Sequence, residues 1–90
     1  MPTVRIKNLS GFRASVTVNG STGEVGKDQE VSFSVSSNAR ATFEARPLER
    51  SGFIRPAAPR EYTIRENMTI NLKCDDRDSL LFFEPSGSIN

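Results

Sequence analysis

The chain has 90 residues, 36% of them hydrophobic, with twelve basic residues against eleven acidic ones, a formal net charge of +1, one cysteine and no histidine or tryptophan. This length suits one small domain, and near-neutrality excludes bulk electrostatic attachment to nucleic acid or a membrane surface, which needs a field of one sign. A single cysteine excludes an internal disulfide, and without histidine no serine or cysteine has its usual base.

Thr3 to Lys7 alternates, Val4 and Ile6 on one face and Thr3, Arg5 and Lys7 on the other, which is the period of a strand. The start, Met-Pro-Thr-Val-Arg-Ile-Lys, lacks the apolar core of a signal peptide. No stretch has the length of a transmembrane helix. A soluble, cytoplasmic protein without membrane contact is therefore expected. Asn8 to Gly11 reads as a turn. Phe12 to Asn19 reads as a second strand with Phe12, Ala14, Val16 and Val18 inward. Asn19-Gly20 is a favoured tight-turn pair, expected here to open a longer polar loop, Ser21 to Gln29, with Glu24-Val25 as a fragment of edge strand.

Val31 to Ala45 is the stretch around which the rest is organised. Val31, Phe33 and Val35 alternate with serines; Ala39, Ala41, Phe43 and Ala45 alternate with Arg40, Thr42 and Glu44. Period two on both sides of Ser36-Ser37-Asn38 predicts a β-hairpin with one apolar face, which needs a second sheet to cover it. Arg46 to Arg60 has no clean period and holds the prolines at 47, 56 and 59, so no central strand is expected through it. Glu61 to Glu66 follows as a strand with Tyr62 and Ile64 inward, then Met68 to Cys74 with Met68, Ile70, Leu72 and Cys74 inward. Asp75 to Asp78 is a turn, Ser79 to Glu84 a last strand, and residues 86–90 a flexible tail after a single domain spanning 1–85.

About seven short strands with regular turn signals predict an all-β fold, a small antiparallel β-sandwich of immunoglobulin-like or related Greek-key architecture. The expected core is Val4, Ile6, Val16, Val18, Val31, Phe33, Phe43, Ile64, Ile70 and Leu72.

Candidate sites are few. Asp75-Asp76-Arg77-Asp78 offers carboxylates for a cation, but Arg77 stands among them, no EF-hand spacing completes them, and Asp is an ordinary turn residue; no metal or cofactor is expected. Glycines are scattered, so no loop cradles a phosphate. With no base for a nucleophile, a non-enzymatic protein is expected. Asn8-Leu9-Ser10, Asn19-Gly20-Ser21 and Asn67-Met68-Thr69 match the glycosylation triplet, a short pattern that a chain rich in Ser and Thr meets by chance.

Leu80-Leu81-Phe82-Phe83 cannot all face one core. If Leu80 and Phe82 point inward, Leu81 and Phe83 point out, and either the chain covers them or they form a self-association surface of a homo-oligomer. The 46–60 loop supplies the partner-binding candidates Arg46, Arg50, Phe53, Ile54, Arg55 and Arg60, because arginine and aromatic groups are enriched at interface hot spots and long loops are often functional. In the competing reading, Phe53 and Ile54 fold back to plug the sandwich. The function expected is a non-catalytic protein-binding or assembly module; the alternative is a carbohydrate-binding or single-stranded nucleic-acid-binding module. Nucleic acid is the weaker alternative, since the aromatics of the strands fall on inward positions and leave no stacking platform.

Overall fold

The computed structural model describes residues 2–49 and 52–85. They form eight strands: β1 (Thr3–Asn8), β2 (Ala14–Val18), β3 (Ser21–Val25), β4 (Glu30–Ser34), β5 (Ala39–Pro47), β6 (Ala57–Ile64), β7 (Met68–Asp75) and β8 (Leu80–Pro85). They pair as two four-stranded sheets, β4-β1-β7-β8 and β3-β2-β5-β6. All pairings are antiparallel except β1 with β7, which run parallel, Val4 opposite Met68 and Asn8 opposite Leu72. The all-β sandwich expected from the period-two pattern is present. Its first strand lies beside β4 and β7, whereas in the immunoglobulin constant order the first strand lies beside the second.

The stretch from Val31 to Ala45 is not a hairpin. β4 and β5 belong to different sheets, and residues 35–38 carry the chain from one to the other. Two facing sheets satisfy the same alternation as a hairpin, because each strand needs only an apolar face turned to the shared core. Val35 donates its backbone N–H to the Pro2 carbonyl (3.1 Å) and Asn38 to that of Ile64 (2.8 Å), which anchors the crossover.

Residues 21–25 form a full edge strand, where only Glu24-Val25 was expected as a fragment of one within a polar loop. Asn19 and Gly20 have positive φ, 49° and 87°, so both central positions of the turn are left-handed. That geometry matches strand twist, and β3 pairs at once with β2, Val18 opposite Ser21. The alternation in β3 is hidden in the sequence because Gly23 occupies an inward position. A Cβ on Gly23 would lie 3.1 Å from Val31 and 3.4 Å from Phe33, so the missing side chain is what lets the edges of the two sheets close together. Val31 and Phe33 are accordingly half-buried at that seam and not central.

β6 starts at Ala57, four residues earlier than expected. Two of the three prolines of the 46–60 segment lie within strands, Pro47 at the end of β5 and Pro59 inside β6. β6 is an edge strand, and its register with β5 shifts between Phe43↔Arg60 and Ala45↔Ala57, which leaves an extra residue on β6 around Pro59. An edge bulge is where a residue without an N–H fits a ladder.

The core cluster contains Val4, Ile6, Val16, Val18, Phe43, Ile64, Ile70 and Leu72, as expected, with Leu81 and Phe83 besides. Phe43 meets Tyr62 and Phe83 edge-on at centroid distances of 5.4 and 6.0 Å, and the second contact joins the two sheets. The self-association surface at Leu81 and Phe83 is therefore not available: both face inward, at 0% and 6% exposure. The register decides this, since Leu81 stands opposite Cys74 and Phe83 opposite Leu72, both inward residues of β7. Leu80 and Phe82 take the outer face and are half-buried.

Candidate functional site

The strand directions collect the connections at two ends. The turn 9–13, the turn 26–29, the loop 48–56 and the turn 76–79 share one end, here called the loop end. The turns 19–20, 35–38 and 65–67 share the other. Among the described residues the large hydrophobics left exposed are Leu9 at 40% and Phe53 at 81%, both at the loop end.

The loop end is organised by a residue that the sequence presents as an ordinary turn former. Asn8 is 0% exposed. Its side-chain amide donates to the carbonyls of Phe12, Val25 and Gly26 at 2.8, 3.1 and 3.2 Å. Its Oδ1 accepts from the backbone N–H and the hydroxyl of Ser10. Its backbone donates to Gln29 and accepts from Asp28. One side chain thus fastens β1 to the end of β3 and to two turns, across the gap between sheets. The sequence signal for this was the triplet Asn8-Leu9-Ser10, read as a turn with a glycosylation pattern; the burial needed to see a hub is not visible in one dimension.

The loop 48–56 is held at both sides. Leu48 donates its N–H to the Arg13 carbonyl (3.0 Å), and Glu49 Oε1 accepts from the Arg13 N–H (2.8 Å). At the return, Arg55 donates to the Ser79 carbonyl (2.7 Å) and accepts from the Leu81 N–H (3.1 Å), forming an isolated parallel bridge beside β8. Its guanidinium Nη2 donates to the Asp78 carbonyl (2.9 Å). The segment therefore covers the start of an otherwise open sheet edge.

The residues singled out from the sequence are placed as follows. Arg46 is exposed on the outer face of β5, opposite Ser15. Ile54 is half-buried and packs against the core. Phe53, its neighbour, is exposed, so the two do not plug the sandwich together. Arg55 is exposed and faces the β7–β8 turn; Arg60 is exposed on β6, opposite Phe43. Arg50 lies outside the described residues. Arg46, Pro47, Leu48, Ile54 and Pro56 line an open groove of about 350 Å³. Among the described residues, Arg46, Arg55 and Arg60 have no carboxylate within 4 Å, whereas Arg5, Arg13, Arg40 and Lys73 each pair with a glutamate.

Across the Arg55 bridge lies the acidic turn. Asp75 Oδ1 accepts from the Arg77 N–H (2.9 Å), an ordinary turn-closing bond. Among the described residues, no three His, Cys, Asp or Glu side chains converge as metal ligands. Burial, and then the charges of Asp76 and Asp75, raise the Cys74 thiol above its usual value, which disfavours the reactive thiolate.

No protein-family model and no curated protein matches the chain. The fold is similar to that of a protein from Eubacterium rectale solved by NMR, with a TM-score of 0.63 and 16% sequence identity over 99% of this chain and 92% of that chain. At that identity the likeness shows the fold alone.

Proposed function

We propose that this chain is a non-catalytic binding module for another protein, and that the loop end is its contact surface. One observation carries the reading: Phe53 is 81% exposed in a connection whose described ends are anchored by backbone hydrogen bonds to Arg13 and Ser79. Small domains need every large apolar group for the core, and an anchored aromatic flanked by arginines is the composition of an interface hot spot. Anchoring and the prolines at 47 and 56 also reduce the ordering that binding would require. Carbohydrate or single-stranded nucleic acid is the weaker fit, since stacking along such a ligand uses successive aromatics and Phe53 stands beside no second exposed one among the described residues. Within the sandwich class we read the architecture as Greek-key-related, with the chain crossing between sheets after β1, β3, β4 and β6.

The test uses cross-linking in the source cells to recover partners, followed by affinity measurement on purified components. Phe53→Ala should leave the melting temperature unchanged and weaken binding by about 2 kcal/mol or more. A partner that binds Phe53→Ala as tightly as wild type places the site elsewhere.

A further inference from the structure

We propose that the groove beside Phe53 takes an acidic peptide segment carrying one large apolar side chain, an inference that rests on the loop end being the binding surface. The groove is shallow and open, about 350 Å³, and Pro47, Leu48, Ile54 and Pro56 line it together with Arg46. That volume is at the bottom of the range for ligand sites and fits one inserted side chain with its flanking backbone. The charged group in its lining is Arg46, and no carboxylate of the described residues lies within 4 Å of it. A guanidinium presents a planar fork that binds a carboxylate through two parallel hydrogen bonds. An aspartate or glutamate next to the inserted apolar residue would meet it there, and the exposed Phe53 is the chain neighbour of Ile54, which lines the groove.

The same end argues against the other macromolecules that basic, aromatic loops attract. Asp75, Asp76 and Asp78 lie across the Arg55 bridge from the groove, held close by the 2.9 Å bond from Arg55 to the Asp78 carbonyl. An anionic membrane or a nucleic acid laid over this end would press its phosphates on those carboxylates. A short segment with a single carboxylate at Arg46 brings far less negative charge to this end than a polyphosphate does.

The probe is a random peptide library displayed on phage and panned against the wild-type protein. Recovered peptides are then titrated by fluorescence anisotropy against wild type, Arg46→Glu, Arg46→Lys and Phe53→Ala, with co-sedimentation on phosphatidylserine-containing vesicles in parallel. The recovered sequences should be net acidic with a large apolar residue. Arg46→Glu should weaken them at least about tenfold, Arg46→Lys less, and replacing the peptide's apolar residue by serine should match the loss from Arg46→Glu. Arg46 is exposed, so its variants should melt with the wild type. Recovery of neutral or basic peptides, failure to recover any, or protein bound to anionic vesicles overturns the proposal. If Phe53→Ala abolishes binding while Arg46→Glu keeps it, the acidic-peptide inference falls and the loop-end reading stands. If neither variant has an effect, both fall.

Discussion

The two ends of this sandwich close in different ways. At the turn end, asparagine side chains on the surface complete the ladders: Asn19 exchanges two bonds with Thr42, through its own N–H and its Oδ1, and Asn67 Oδ1 accepts from the Thr3 N–H (2.8 Å). Among the described residues, no large hydrophobic is exposed there. At the loop end the fastener is Asn8, fully buried, and outside it the chain leaves Phe53 and Leu9 to solvent and sets a basic loop beside an acidic turn. Closure alone needs only polar turns of the first kind. The apolar and charged surplus at the second end is what a contact surface would use.

The largest expected effect is one that both ends share. Phe43 is 0% exposed and touches Tyr62 and Phe83, so it ties the sheets together between the two ends. Phe43→Ala should cost about 3–5 kcal/mol, a large part of the stability of a small domain. Urea unfolding followed by circular dichroism checks it. Phe33→Ala should cost less, because Phe33 lies half-buried at the seam over Gly23. Equal losses for the two would contradict the placement of β4 at a sheet edge.

Next in size is a direct test of the difference between the ends. Asn8→Ala takes the buried donor from the Val25 carbonyl, while the Phe12 and Gly26 carbonyls keep the Ser10 hydroxyl and the Gln29 N–H, and should cost about 1–3 kcal/mol. Asn67→Ala removes one exposed bond, whose loss water repairs, and should cost about 1 kcal/mol or less. Hydrogen exchange should show the Asn8 variant loosening at residues 9–13 and 26–29 while the 65–67 turn stays protected. Uniform loosening throughout would mean that Asn8 is not a local fastener.

The parts of the fold that were legible in the sequence are those where one residue type has one meaning. Val4, Ile6, Ile70 and Leu72 alternate with polar neighbours, and both the strands and their inward faces follow. Pairing was less legible, because alternation states which face is buried and not which strand lies alongside. Hence β4 and β5 looked like a hairpin and are a crossover. β3 was legible only at its Glu24-Val25 end, expected as a fragment of edge strand, because Gly23, which the close approach of Val31 and Phe33 requires, erases the apolar beat before it. In the candidate site, the loop could be found from its prolines and arginines. The division of labour between Phe53, exposed, and Ile54, packed on the core, could not, since it depends on Arg55 being drawn to the Ser79 carbonyl some 24 residues away.

The smallest expected effect sharpens the electrostatic half of the comparison. Met68 and Cys74 are the first and last inward residues of β7, at opposite ends, and Cys74 feels the acidic turn. Burial first, then Asp76 and Asp75, raise its thiol above the usual value of 9.0. Each disfavours the thiolate, the form that reacts. Alkylation by iodoacetamide at pH 8 should therefore be slower in the folded protein than in urea, and Asp76→Asn should recover part of the rate by removing one of the two charges. The linkage has a definite sign. The folded value is raised, so the unfolded chain binds fewer protons once the pH passes its own thiol value; this stabilisation is complete below that value and is lost as the pH rises through the folded one. Wild type should then lose stability above about pH 9 somewhat faster than Cys74→Ala, the two being compared because other groups titrate there as well. A folded thiol that alkylates as fast as the unfolded one, or an Asp76→Asn variant with an unchanged rate, would show that the carboxylates of this turn face away from the strand, and the charge contrast between the two sides of the Arg55 bridge would lose its sharpest probe.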